Sequence, residues 1–288
     1  IRGGTKHVIN GSEIRDVGTA GITVSGGNRV TLKSSEHLVS NNRIWRVGRF
    51  AASGNPGIYI RGVGVTVRAN RMADMPYAAI VFPGNDHEIE LNDISNVCYE
   101  QSDCGSIYLG RDSPGFKPRA AVMGVYLDDL SSNVTVTGNV ISDLFRGVLI
   151  GGGRDNLVAN NYFARVEIPV SLDARGMHWG RKFLRKGGVL LNRLAKLPYR
   201  KRPWSTKYPH LSGILDDEPS IPKRNRVIGN YSINSGEMKI DPVGAFTGTV
   251  EENFEESNPV HVDSKAIELA RKSAGVIRQQ IPTWVDIV

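Results

Sequence analysis

The chain has only two cysteines in 288 residues, which excludes a disulfide-rich scaffold. Cys98 and Cys104 lie six apart. A local disulfide and two reduced thiols are both open to them, and the redox compartment stays open as well. No apolar run reaches the roughly 18 residues of a membrane-spanning helix, and no charged, then apolar leader opens the sequence. His7, His37, His87, His210 and His261 show no metal-ligand spacing. "GGGRDN" lacks the Gly-Lys-Ser/Thr ending of a phosphate loop. Between Arg181 and Lys207 there is no acid at all, against ten Lys and Arg. The net charge of +7 therefore arises in that one stretch, and the rest of the chain is slightly acidic. A charge so local reads as a solvated insertion face, which argues against a nucleic-acid or membrane partner.

What the chain has is repetition. "GIYIRG", "AIVFPG", "SIYLGR", "GVYLDD", "GVLIGG" and "PVSLDA" share a small residue or proline, a short apolar strand, and a turn. Their first apolar residues are Ile58, Ile80, Ile107, Val125, Val148 and Val170, at steps of 22, 27, 18, 23 and 22. In a second series, Asn42, Asn70, Asn92, Asn139, Asn161 and Asn230, the step of 22 recurs from Asn70 to Asn92 and from Asn139 to Asn161. Steps of this size are coils of a solenoid. Ile, Val and Tyr, instead of leucines at fixed positions, indicate a parallel β-helix, an all-β fold. The asparagines are expected to take strained corner positions and bond from coil to coil. Alternation stacks the first and third strand residues inward. It points Tyr59, Val81, Tyr108, Tyr126, Leu149 and Ser171 outward, where the tyrosines are either ordinary sheet residues or platforms for a sugar ring.

Four segments follow: coils over 1–176, a basic insertion over 177–222 packing across the helix edge, final coils over 223–260, and a C-terminal capping segment over 261–288. Leu190, Leu194 and Leu197 give the insertion a helical part, and Ile267, Ala270, Ala274, Ile277 and Ile281 predict a C-terminal helix. No cap precedes the first coil, so an upstream portion is expected.

The position after each strand forms a column containing Asp128, Gly151 and Asp173. Two coils separate the aspartates by roughly 9.6 Å of backbone. Gly151 leaves a gap between them, a spacing suited to an acid and a base flanking a glycosidic bond. Asp129, Asp103, Arg111, Asp112, Arg154, Asp155, Arg175, His178 and Trp179 crowd the same edge as candidate ligand groups. An acid doublet beside backbone carbonyls could also hold calcium. The bland alternative is that Asp and Gly are what any turn wants, and that Arg154 and Asp155 form a turn salt bridge.

"VYLDD", "GGGRDNLVANNYF", "DARGMHW" and the segment from "PYRKRPWS" to "RNRVIGN" resemble bacterial right-handed parallel β-helix repeat proteins, and are similar to family 141 glycoside hydrolases and other polysaccharide-active β-helix enzymes, of the pectin-lyase-like type, over roughly residues 35–240. The resemblance implies a right-handed solenoid and export to an extracellular or periplasmic site. It also implies a polysaccharide or glycan partner, no required cofactor, and catalysis by Asp128, Asp173 and Asp129. Substrate contacts would come from Asp103, Tyr108, Arg111, Asp112, Tyr126, Arg154, Asp155, Arg175, His178 and Trp179. Two other functions fit the residues: a lyase or epimerase on uronic-acid polymers, and a non-catalytic carbohydrate-binding or structural β-helix. The 18-residue step from Ile107 to Val125 is shorter than in the relatives, which predicts a lost or rebuilt wall of the cleft.

Overall fold

The computed structural model describes residues 1–101, 103–110 and 122–256. Its registered strand pairs are all parallel, in one 11-stranded sheet and three 4-stranded sheets. The large sheet carries the repeats in the predicted register. Ile22 pairs with Ile58, Ile58 with Ile80, Ile80 with Ile107, Ile107 with Val125, Val125 with Val148, and Val148 with Val170. A second column runs through Leu109, Leu127, Ile150, Leu172 and Ile240. These side chains fill one inner core. Burying each contributes about 1.5–3 kcal/mol, and the β-branched shapes suit a pleated wall packed on one face.

The short step has a visible consequence. Cys104–Leu109 pairs directly with Val122–Leu127. Among the described residues, the sheets built on Val65–Arg68 and Arg71–Met75 end before this pair, and the one built on Thr135–Thr137 starts after it.

The asparagines form the expected ladders. Asn42 Nδ2 donates to Asn70 Oδ1 at 2.9 Å and Asn70 Nδ2 to Asn92 Oδ1 at 3.0 Å. Beyond the short step, Asn139 donates to Asn161, Asn161 to Asn230 and Asn230 to Asn253, at 2.9, 3.0 and 2.9 Å. A further ladder, Asn156 to Asn225 at 3.0 Å, joins them. The strain sits one residue earlier than expected. Ala69 (φ 52), Leu91 (φ 55) and Asn160 (φ 54) take the left-handed conformation, and the ladder asparagines that follow them do not. The side-chain amides instead satisfy the backbone groups that each bend exposes.

The insertion runs back along the solenoid as a strap. It has short helices at Val189–Leu194, Trp204–Lys207 and Pro209–Ser212. Its far end is anchored by buried Trp204, whose Nε1 donates to the Arg29 carbonyl at 2.8 Å, and by Tyr208, whose hydroxyl donates to Asp86 at 2.9 Å. After Asp241 a short helix, Pro242–Thr247, precedes the last strands. The predicted C-terminal helix lies outside the described residues. Among the described residues no helix is long and apolar enough to cross a membrane.

Candidate functional site

The edge predicted from the aspartates exists, but it is organised by an arginine. Arg175 follows the strand Tyr162–Asp173 in a single turn of helix, Arg175–Met177, and folds back over its end. Its Nη1 donates to Asp128 Oδ1. Its Nε and Nη2 fork onto Asp173 at 2.9 and 2.7 Å. A Cβ built on Gly151 would lie 2.7 Å from the Arg175 Cζ. The glycine gap is therefore filled by the guanidinium and does not leave room for water between two reacting acids. A calcium ion between Asp128 and Asp173 would have to take the same place. Among the described residues no group of three or more His, Cys, Asp or Glu is placed to hold a metal.

Asp128 is only 6% exposed. It accepts from the Tyr108 hydroxyl at 3.0 Å, the Tyr126 hydroxyl at 2.8 Å, the Asp129 backbone N–H at 2.8 Å, and Arg175. Those four donors match the roughly four acceptor sites of a carboxylate and leave none for a substrate. Burial, and next the Asp128 charge, push both tyrosine hydroxyls well above their ordinary range, so both remain donors. Burial alone would lower the Arg175 pKa. The hydrogen bond and charge of Asp173, with Tyr126, hold it above its ordinary value.

Tyr108 and Tyr126 are not sugar platforms, whereas Tyr59 is half-buried. Tyr108 is 3% exposed and Tyr126 4%. They point away from the inner core, as alternation requires, but enter a second cluster with Tyr77, Val81, Leu149, Cys98 and Cys104. Cys98 and Cys104 are joined in a disulfide, and Val97 packs against the same cluster. The two rings stack on each other at 5.1 Å instead of on a ligand.

Arg154 and Asp155 do not face the groove either. Arg154 is buried and donates to the Ile221, Asp217 and Glu218 carbonyls and to the Asp217 carboxylate. Asp155 is held by Arg224 and His210, which keep its carboxyl below the ordinary range although burial opposes them. These residues tether the strap where it returns. The second and third glycines of "GGGRD" serve packing in the same way, with Gly152 at φ +73 and Gly153 tight against the Ser131 carbonyl. Asp129 is a left-handed turn residue (φ 43), half-buried beside Asp128. Exposed Asp103 accepts from Tyr126 at 3.1 Å. His178 is exposed, and Trp179 is 53% exposed with Arg175 5.4 Å from its ring. Arg111 and Asp112 lie outside the described residues.

Asp173 is different, with 41% of its side chain exposed. It lines an open groove of ≈ 490 Å³ together with Arg146, Ser171, Lys239 and Asp241. Four of these five were missed in the sequence as site residues. The signal for Asp241 was the repeat itself. Ile240 pairs with Leu172 and the Asp241 N–H donates to the Leu172 carbonyl, so Asp241 continues the Asp128, Gly151, Asp173 column. The short "EMKI" segment hid that register because its strand is two residues long.

A family model for the right handed beta helix region matches residues 1–168. The chain belongs to that family. The matched span of this β-helix includes Asp128 and ends just short of Asp173. A solved structure titled "Glycoside hydrolase" aligns over 93% of this chain and 34% of its own, at 14% identity and a TM-score of 0.30. The β-helix thus spans about a third of that structure's length. The search of curated proteins gives no match.

Proposed function

We propose that this β-helix is an exported carbohydrate-active protein that hydrolyses a glycosidic bond of a glycan bound in the groove, with Asp173 and Asp241 as the paired carboxylates. The observation that carries the reading is that both acids line one open groove from adjacent coils. Adjacent coils lie about 4.8 Å apart. That matches the roughly 5–5.5 Å between the carboxyls of retaining glycosidases better than the longer inverting separation. Asp173, gripped by Arg175, is suited to attack the anomeric carbon. Asp241 would protonate the leaving oxygen, then take a proton from the water that releases the sugar. One oxygen of Asp241 caps the helix Pro242–Thr247 by accepting from Val243 N–H at 2.9 Å, and the other is left for substrate. Trp179, half-exposed beside Arg175, is the aromatic surface available to a sugar ring. Asp128 is a positioning residue acting through Arg175. The sequence resemblance supports a glycan substrate, and the Cys98–Cys104 disulfide supports an oxidising compartment.

The test is a panel of plant and bacterial polysaccharides, scored for new reducing ends and for the anomeric form of the first product. Reducing ends with retained configuration, absent in D173N, are expected. Ultraviolet-absorbing unsaturated ends would replace hydrolysis by elimination. Inverted product would remove Asp173 and Asp241 as the pair.

A further inference from the structure

Among the described residues, the groove carries unpaired cations as well as the two acids. Asp173 and Asp241 follow their strands. Arg146 sits in register with Ile168, five residues upstream of Asp173 and so roughly 16 Å away along an extended strand. Arg146 is half-buried, and among the described residues its guanidinium makes no hydrogen bond and no ion pair. Its Nε is fully buried without a partner. A half-buried, unpaired guanidinium is costly, because burial removes water from a permanent charge that nothing repays. The same burial lowers the Arg146 pKa, with the Asp173 charge acting against it. The Phe145 ring lies 5.5 Å from the guanidinium carbon.

Two further groups point the same way. Ser171 is 6% exposed, lines the groove, and its hydroxyl has no partner. Lys239 lies directly beside Ser171 in the sheet register, is exposed, and forms no ion pair among the described residues. Two cations and a hydroxyl, all unused by the fold, line one groove. The β-helix does not need them for its own hydrogen bonding, whereas Arg154, Arg175 and Arg224 are each consumed by carboxylates.

We propose that Arg146, with Lys239 and Ser171, forms an anion subsite, and that the glycan of the groove is acidic. This rests on the glycan reading above and names its substrate class. The carboxylate of a uronic acid or a sulfate ester would supply the acceptor oxygens. A guanidinium can take either in a forked contact, and the charge-assisted bond is the stronger for being partly desolvated. Because Arg146 enters the groove from a strand position five residues before that of Asp173, the acidic group belongs to a sugar neighbouring the cleaved bond.

The experiment is isothermal titration of the whole chain with matched oligosaccharide pairs: a uronate oligomer against its carboxyl-reduced form, and a sulfated oligomer against its desulfated form. The acidic member of at least one pair is expected to bind tenfold or more tighter, and which pair does so identifies carboxylate or sulfate. R146Q should erase most of that preference, lowering acidic binding about tenfold more than neutral binding. S171A should weaken acidic binding without lowering the melting temperature, since no hydrogen bond of the fold is lost. K239Q, an exposed change, repeats the test if R146Q folds poorly. Equal binding of acidic and neutral members overturns the subsite and leaves the glycan reading intact. Binding of neither overturns both. A preference that survives R146Q and K239Q but falls when Arg181, Lys182 and Arg185 of the strap are changed to Gln overturns the assignment to Arg146 and moves it to the strap.

Discussion

Asp128→Asn and Asp173→Asn should behave oppositely, although both remove one charge from the same arginine. The amide introduced by Asp128→Asn would keep one acceptor oxygen but place an NH₂ group where Arg175 or a tyrosine hydroxyl now donates. At least one charge-assisted bond is lost, worth about 1.5–3 kcal/mol, and a buried donor is left unpaired, at about 1–3 kcal/mol. Arg175 keeps Asp173, so the full penalty of an orphaned buried charge does not arise. The expected loss is about 3 kcal/mol, or roughly 6–12 °C in melting temperature for a chain of this size. Asp173 is 41% exposed, and Arg175 retains Asp128 when it is changed. Solvent screening holds that loss to about 1 kcal/mol or less. Thermal unfolding followed by circular dichroism reads both variants directly. Equal losses, or a larger loss in D173N, would refute the assignment of Asp128 as anchor and Asp173 as the exposed functional acid.

Burial pushes the His87 imidazole down to about 4, while its Nδ1 accepts the Val65 N–H at 3.2 Å. The unfolded chain protonates near 6.5 and the folded one near 4. His87 therefore contributes its full stability above about pH 6.5 and loses about 3 kcal/mol as pH falls to about 4, a slope that H87Q should flatten in urea titrations. Asn161→Ala removes donors to the Val136 and Ala159 carbonyls and to Asn230, and strands the Asn139 N–H, all at a buried site. Chemical denaturation should show a loss of about 3–5 kcal/mol. Gly151→Ala puts a methyl into the Arg175 guanidinium, so both melting temperature and glycan cleavage should fall, whereas the same change at open Gly213, at an ordinary φ of -101, should alter neither. Trp204→Ala empties the far anchor of the strap. Limited trypsin digestion should then cut within residues 181–202 faster while the coils stay protected.

The solenoid was legible because its causes are periodic. Core Ile and Val at a step near 22 and asparagines at the same step leave a pattern that needs no tertiary knowledge. What failed was what depends on segments outside the period. Tyr108 and Tyr126 do point off the inner core, yet Tyr77 and the Cys98–Cys104 disulfide pack with them in a second cluster. The column of acids was correct in register for Asp128 and Asp173. The arginine two residues after Asp173 was read as one more ligand group, because a sequence does not say that its side chain doubles back over Gly151. Arg154 looked like part of the edge until the strap returned from 63 residues away to take it. Asp241 and Arg146 are hidden differently, the first behind a two-residue strand and the second within the long strand Val140–Gly151, just before the apolar repeat and not after it.

The measurement that tests the central claim most directly is the initial rate of glycan cleavage by the native chain and by D173N, D241N and D128N, well below their melting temperatures, on whichever polysaccharide the native chain cuts. We predict that D173N and D241N lose at least a thousandfold in rate with little change in melting temperature, whereas D128N melts several degrees lower and keeps more rate than either. Full activity in D241N, or a D128N that folds as stably as the native chain but is dead, would contradict the account.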